Sequence, residues 1–260
     1  MSDLHWKQSI TNTEPNKISL RGYPVEELMG KVSFSDSIYL ALQGDLPSPE
    51  ISKLFEAILV SSVDHGVTSP SALAALTATS TGAPMNAAVA AGLLSINKFH
   101  GGAIEDAMHI FLEIKEITTL HNIPTADAAD QFVEKYHSEG RRIMGYGHRI
   151  HSNDPRQEKL FKIARETDLA GEYIVIAGEL QTSLGKQIGK ELPINVDGAI
   201  AAILCDLEFP PELANALFMI ARVPGLVAHV AEEKTRYKPM RKIHPTDHEY
   251  DGPAERHLEE

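Results

Sequence analysis

The chain has 260 residues, 43% of them hydrophobic, and a formal net charge of −12 at pH 7. This length and hydrophobic content allow one large or two smaller folded domains. The negative charge argues against a nucleic-acid-binding protein, which would carry a basic surface, but it still permits a local basic pocket. The single cysteine, Cys205, excludes an internal disulfide and fits a reducing compartment. No signal peptide or membrane-length apolar run is evident, so the sequence predicts a soluble, cytoplasmic protein.

Helical signals recur along the chain, whereas we find no persuasive strand pattern. The first 20 residues are polar and predicted to be extended, and Ser48-Pro49 is a clear helix start. The alanine-rich stretch 72–96 predicts closely packed helices with a break near Gly82-Ala-Pro84. A second break is predicted at Arg222-Val-Pro-Gly225. Cys205 lies in an apolar run and is predicted to be a core residue. The predicted fold class is all-α, with helices at 25–30, 38–43, 49–63, 104–117, 125–138, 157–166, 169–188, 199–205, 212–221 and 226–233.

Residues 140–156 concentrate glycine, histidine and arginine in the order Gly-Arg-Arg-Ile-Met-Gly-Tyr-Gly-His-Arg-Ile-His-Ser-Asn-Asp-Pro-Arg. The two glycines around Tyr146 permit a tight turn and a close approach to a ligand. Asp154-Pro155 is typical of a capped helix start. For any one of these residues, a basic surface loop is an equally good explanation. Their concentration favours a site that binds an anionic substrate and transfers a proton.

The predicted breaks between helices carry further polar residues. A single histidine beside glycine is more often structural than catalytic. Two histidines with one aspartate, however, fit proton transfer at a carbon next to a carbonyl. The carboxylate moves the carbon-bound proton, one imidazole hydrogen-bonds the enolate oxygen, and the other handles a hydroxyl proton. Arginines bind substrate carboxylates bidentately. The candidates for this chemistry are His65, His100, His148, Arg156, Asp197 and Arg222.

Three stretches resemble, in the family's order, the catalytic stretches of the citrate synthase superfamily. They are Phe99-His-Gly-Gly-Ala-Ile-Glu105, Gly145-Tyr-Gly-His148 with Asp154-Pro-Arg156, and Asn195-Val-Asp197. Other similar segments are Arg21–Leu28, Leu40–Pro47, Asp64-His65 and Ala221–His229. The resemblance covers nearly the whole chain. It implies a shortened citrate-synthase-like fold, with residues 1–100 and 203–260 forming a large helical domain and residues 101–202 a small one that closes against it.

Three features of the chain differ from the citrate synthases of that family. The family synthases are much longer, and here a single predicted helix separates Leu46-Pro47 from Asp64-His65. Ile243-His-Pro245 stands where the synthases have a late Arg-Pro, and Gly198 follows Asn-Val-Asp. These features are similar to citryl-CoA lyases and to the citrate-synthase-homology module of ATP-citrate lyases. The resemblance therefore implies a citryl-CoA lyase more strongly than a citrate synthase.

The resemblance also implies a role for each candidate residue. His148 accepts the citryl hydroxyl proton, His100 holds the thioester oxygen, and Asp197 protonates the enol carbon. His65, Arg156 and Arg222 hold the oxaloacetate portion. Coenzyme A, a substrate rather than a tightly bound cofactor, is expected near Met144, Gly145, Tyr146, Gly147 and Arg149.

The expected partners follow from the same resemblance. Besides citryl-CoA, acetyl-CoA, oxaloacetate and citrate, they are a second copy of the chain in a homodimer or higher homo-oligomer, and a citryl-CoA synthetase. No nucleic acid, membrane or metal is expected.

Several alternatives stay open from the sequence. One is citrate synthase proper, which condenses acetyl-CoA with oxaloacetate and hydrolyses the thioester. Another is a non-catalytic CoA-binding subunit of a citrate-cleaving complex. A third is a metal-binding tail that uses His244, Asp247 and His248. The sequence leaves open the direction of the reaction and whether a methylcitrate-type substrate is used.

Overall fold

The computed structural model describes residues 6–147 and 154–241, and helices dominate these ranges. A small sheet contains β1 (Thr11–Glu14), β2 (Lys17–Leu20) and β3 (Tyr23–Pro24). The helices are α1 (Val25–Leu28), α2 (Phe34–Gln43), α3 (Pro49–Ser61), α4 (Pro70–Ser80), α5 (Met85–Leu94), α6 (Ala103–His121), α7 (Thr125–Ser138), α8 (Pro155–Glu166), α9 (Glu172–Ile188), α10 (Val196–Asp206) and α11 (Pro211–Arg236). The all-α prediction is confirmed.

The N-terminal sheet is an antiparallel meander that the sequence did not reveal. Thr11 pairs with Leu20 and Glu14 with Lys17, and β3 then pairs with β2. The extended conformation was predicted correctly, but its pairing was missed. Strands of four residues and two residues are too short to show a clear alternation of polar and apolar side chains.

Several helix starts follow from capping side chains. Ser48 accepts a hydrogen bond from the Ile51 N–H, and Asp154 accepts one from the Arg156 N–H. Ser33 caps α2 by accepting a hydrogen bond from the Asp36 N–H at 3.0 Å. Thr125 is the first residue of α7, as predicted, and no side chain caps that helix.

The predicted break at Arg222-Val-Pro-Gly225 is wrong, because α11 runs continuously from Pro211 to Arg236 with Pro224 inside it. Proline removes one backbone donor from the helix, so this continuity must come from packing. α11 contacts α3, α4, α5 and α6. By length and a mean hydropathy of 1.5 it is also apolar enough to span a membrane, and 44% of that apolar window is buried within the protein.

The core is built around α10. Nine of its eleven residues are buried, including Cys205 as predicted, and it packs against α6, α8 and α9. α4 and α5 pack on each other and on α11. The predicted domain boundary at residue 202 falls inside α10, and the division into two domains stays a prediction. Among the candidate site residues, Arg156 lies at the start of α8, Asp197 at the start of α10, Arg222 on α11 and His100 between α5 and α6.

Candidate active site

Asp197 lies in the first turn of α10, which Asn195 caps by accepting a hydrogen bond from the Gly198 N–H at 3.1 Å. Burial raises the pKa of the Asp197 carboxyl to about 6. The negative charge of Asp154 adds to this shift, while Arg156 and Arg222 oppose it. Asp197 can therefore gain or lose a proton near neutral pH, as an acid–base residue must.

Asp154 joins the starts of α8 and α10. Its Oδ1 accepts from the backbone N–H and Nε of Arg156, both at 3.0 Å, and its Oδ2 accepts from Arg156 Nη2 at 2.8 Å. Oδ2 also accepts from the Val196 N–H at 3.2 Å. Although burial opposes ionisation, these bonds keep the Asp154 pKa below its usual value. The Arg156 guanidinium is thereby fixed beside Asp197.

The loop 144–147 is bonded to the segment before α10. The Gly145 carbonyl accepts from the Asn195 N–H at 3.0 Å, and the Gly147 carbonyl accepts from Asn195 Nδ2 at 2.9 Å. The Tyr146 hydroxyl donates to the Ala177 carbonyl at 2.8 Å, and burial raises its pKa well above the usual value. The Tyr146 side chain thus belongs to the core, so a contact with coenzyme A at this residue would use its backbone.

The same loop lies directly against α10. A Cβ on Gly198 would stand 2.3 Å from the Gly145 carbonyl oxygen, and a Cβ on Gly145 would stand 2.9 Å from the Gly198 Cα. Only glycine at both positions permits this approach. The contact fixes the loop that leads to His148 next to the helix that carries Asp197.

His100 follows α5 and is held by the N-terminus of α4. Its Nε2 lies 2.9 Å from Ser71 Oγ and accepts a hydrogen bond from the Ser71 N–H at 3.4 Å. A ring nitrogen that accepts from an N–H carries no proton, so this geometry assigns the His100 proton to Nδ1. Burial lowers the His100 pKa, and the charges of Arg222 and His65 lower it further. His100 is therefore a neutral imidazole with Nδ1–H available as a donor.

Arg222 is buried, with 3% of its surface exposed. Its Nε donates to the Ser62 carbonyl at 2.9 Å, and the Phe218 ring lies 4.8 Å from the guanidinium carbon. The His100 ring meets the same Phe218 edge-on, with centroids 5.8 Å apart. Arg222 Nη1 is buried and has no hydrogen-bond partner among the described residues. Such a donor is costly to leave unpaired, which suits a site for a substrate carboxylate.

The structure brings together most of the predicted side chains. The charge of Arg222 affects the pKa of both His100 and Asp197, while His65 also acts on His100 and Arg156 on Asp197. His148 and Arg149 lie outside the described residues. Met144 is partly buried.

Sequence reasoning missed the supporting roles of Ser71, Asp154 and Phe218. Asp154 was visible as a helix cap and as part of the Asp154-Pro-Arg156 motif, but not as the group that bonds the Arg156 side chain and α10. Ser71 showed only as a residue after a helix-starting proline, and Phe218 only as an apolar helix residue.

This fold and site define a helical protein in which a titratable carboxyl, Asp197, lies close to Arg156 and Arg222. The family model "Citrate synthase, C-terminal domain" matches residues 47–246. The chain belongs to the citrate synthase family.

Individual relatives differ in how much of their length the chain matches. The solved structure of citryl-CoA lyase from Hydrogenobacter thermophilus is 41% identical, with 97% of each chain covered and a TM-score of 0.88. Citrate synthase of Saccharolobus solfataricus is 31% identical over 77% of this chain and 52% of its own length. ATP-citrate synthase beta chain protein 1 of Arabidopsis thaliana is 31% identical over 75% of this chain and 33% of its own. The chain thus spans about half the length of the curated citrate synthases it matches.

Proposed function

We propose that the protein is a citryl-CoA lyase, which cleaves citryl-CoA to acetyl-CoA and oxaloacetate. The proposal rests mainly on the protonation states of two side chains near Arg222, those of Asp197 and His100. Asp197 has a pKa of about 6, whereas burial and neighbouring charge keep His100 neutral. A carboxyl that protonates carbon and an imidazole that donates to an enolate oxygen are what this cleavage needs.

The reaction begins at the citryl hydroxyl, whose proton passes to His148 as the bond between the carbinol carbon and the acetyl methylene breaks. The oxygen electrons form the ketone of oxaloacetate, and the bond electrons leave on the enolate of acetyl-CoA. His100 donates from Nδ1 to the enolate oxygen, and Asp197 gives its proton to the methylene carbon. His65, Arg156 and the unpaired Nη1 of Arg222 hold the carboxylates of the oxaloacetate portion.

Coenzyme A is proposed to lie along Met144, Gly145, Tyr146 and Gly147, with Arg149 close to its phosphates. Because the Tyr146 side chain is bonded inside the core, the loop would contact the thioester side of coenzyme A through its backbone.

Two observations favour a lyase over a synthase. One relative that matches over 97% of both chains is a citryl-CoA lyase, with 41% identity and a TM-score of 0.88, whereas the citrate synthase structures from Thermotoga maritima and Thermoplasma acidophilum reach TM-scores of only 0.56 and 0.69. In addition, Gly198 directly follows Asp197, a feature that is similar to citryl-CoA lyases. Only a glycine at this position leaves room for the Gly145 backbone. Citrate synthase, which also hydrolyses the thioester, is the second candidate because the same residues serve both reactions.

The test is product analysis with citryl-CoA in D₂O. A lyase makes acetyl-CoA and oxaloacetate without free thiol, and the acetyl methyl carries one deuterium delivered by Asp197. Asp197→Asn should stop this incorporation, and Glu208→Gln, at an exposed position after α10, serves as the matched control. Free coenzyme A released from acetyl-CoA plus oxaloacetate would instead identify a synthase. Absent turnover despite coenzyme A binding would identify a non-catalytic subunit.

We further propose a cytoplasmic homodimer assembled through α4 and α5, working with a synthetase that supplies citryl-CoA. α5 is apolar except for Asn86, yet only Ala88 and Gly92 are buried in it. Leu94 and Leu73 are 79% and 42% exposed. A continuous apolar helix face of this kind is typical of a subunit interface.

A further inference from the structure

The loop between α3 and α4, residues 62–69, is fixed to one face of α11 at three successive points. Arg222 Nε donates to the Ser62 carbonyl at 2.9 Å. Gly225 lies so close to the loop that a Cβ there would stand 2.3 Å from the Val63 carbonyl oxygen. His229 Nε2 lies 2.9 Å from Asp64 Oδ1. Positions 222, 225 and 229 share a helix face, so α11 holds the loop along about two turns.

Asp64 connects this attachment to His65. Its second oxygen, Oδ2, accepts a hydrogen bond from the Gly66 N–H at 2.9 Å, so the carboxylate spans the backbone of His65. Partial burial opposes its ionisation, but the bonds from Gly66 and His229 outweigh this effect and lower the Asp64 pKa. An ionised Asp64 accepts from His229 Nε2–H on one side and from the loop backbone on the other.

We propose that His229 is a positioning residue for His65. By holding Asp64, His229 fixes the backbone of the residue that binds the oxaloacetate portion of the substrate. The inference rests on the substrate role of His65 given under the proposed function.

His229 itself acts from outside the substrate site. It lines a cavity of about 200 Å³ whose other residues are Val67, Leu76, Glu232, Glu233, Tyr237 and Arg241. None of these carries a role in the proposed cleavage, so the His229 side chain can be changed without removing a group that touches substrate.

Three variants separate positioning from simple structural support. His229→Ala removes the bond to Asp64, and His229→Gln keeps an amide N–H donor on a side chain of similar reach. Arg236→Ala is the matched control, because it breaks the surface ion pair with Glu232 (2.8 Å) on the same helix. The three readouts are calorimetric binding of oxaloacetate, KM and kcat for citryl-CoA, and amide hydrogen exchange of residues 62–69.

His229→Ala should weaken oxaloacetate binding about tenfold, which corresponds to about 1.4 kcal/mol. It should raise KM for citryl-CoA more than it lowers kcat, and accelerate amide exchange within residues 62–69. His229→Gln should recover most of the affinity, and Arg236→Ala should match the wild type.

Wild-type affinity in His229→Ala overturns the proposal. So does a loss that His229→Gln does not recover and that comes with faster exchange throughout α11, since His229 would then support the helix in general. Oxaloacetate binding and amide exchange need no turnover. A wild-type protein that binds oxaloacetate without cleaving citryl-CoA therefore contradicts the lyase function alone, whereas one that does not bind oxaloacetate overturns both proposals.

Discussion

At the scale of single residues, the burial and the neighbouring charges of Asp197 and His100 set their protonation states. Burial disfavours the charged form of each, so it raises the carboxyl pKa and lowers the imidazole pKa. The guanidinium of Arg222 then acts in opposite senses on the two pKa shifts, opposing the rise at Asp197 and adding to the fall at His100. Ser71 selects the His100 tautomer through a backbone N–H that a helix N-terminus leaves unpaired.

Asp197→Asn is expected to stabilise the fold at pH 8 but hardly at pH 4. The carboxyl has its ordinary pKa of 3.8 in the unfolded chain and about 6 in the folded one. The folded state thus binds the proton more tightly, and wild-type stability falls as pH rises from about 4 to 6. Asparagine resembles the protonated form and avoids this loss, which is at most about 3 kcal/mol.

Urea denaturation of the wild type and the Asn variant at pH 4 and pH 8 measures this difference. The stabilisation should be several times larger at pH 8. Equal midpoints for the two proteins at pH 8 would show that the carboxylate is ionised at no cost and that its pKa is ordinary.

At the scale of elements, the contact between the loop 144–147 and α10 sets the geometry of the site. Two glycines bring a carbonyl oxygen against the first turn of the helix, and Asn195 bonds to the loop on both sides of Tyr146. Asp154 then attaches α8 to the same turn through the Val196 N–H. The start of α10 is therefore where Asp197, Arg156 and the segment leading to His148 meet.

Gly198→Ala should destabilise the protein and reduce activity, although alanine usually stabilises a helix relative to glycine by about 1 kcal/mol. The new Cβ would lie 2.3 Å from the Gly145 carbonyl oxygen, so the loop must move away. Gly178→Ala on α9 is the matched control, because nothing lies within 4 Å of its Cβ position.

Thermal unfolding and citryl-CoA turnover of both variants measure the effect. Gly178→Ala should keep its activity and gain stability. If Gly198→Ala behaves in the same way, the close approach of loop and helix does not govern the site.

At the scale of the whole molecule, the helices differ in how much of their surface is buried in the core. α10 is buried almost throughout, whereas the alanine-rich α5 keeps an exposed apolar face. Burial of that face in a second copy would remove it from water, which stabilises association by roughly 25 cal/mol per Å². The proposed homodimer follows from this unpartnered surface.

Ala90→Arg should dissociate the dimer, because it places a charge on the exposed face of α5 that would be buried in the interface. Light scattering coupled to gel filtration would report the mass of the wild type and the variant. Leu120→Arg changes another exposed apolar residue, on α6, and should leave the mass unchanged. A monomeric wild type, or a dimeric Ala90→Arg protein, would contradict the proposed interface.

The helical class, many helix starts and the family could be predicted from the amino-acid sequence alone. Local capping chemistry at Ser48 and Asp154 and the spacing of apolar residues act over a few positions, so they are readable along the chain. The motifs around His100, Asp197 and Arg222 were likewise local.

The side chains that support these motifs, and the full length of each helix, became known from the three-dimensional packing of the chain. α11 continues through Pro224 because the helices packed against it stabilise it. Such tertiary packing leaves no signal in the local sequence. Ser71 meets His100 across 29 positions, Asp154 meets Val196 across 42, and Asp64 meets His229 across 165. These contacts join residues that are far apart in the sequence and close together only in the folded chain. The His100 tautomer, the pKa shifts of Asp197 and His100 and the attachment of the His65 loop to α11 could therefore be seen only in the structure.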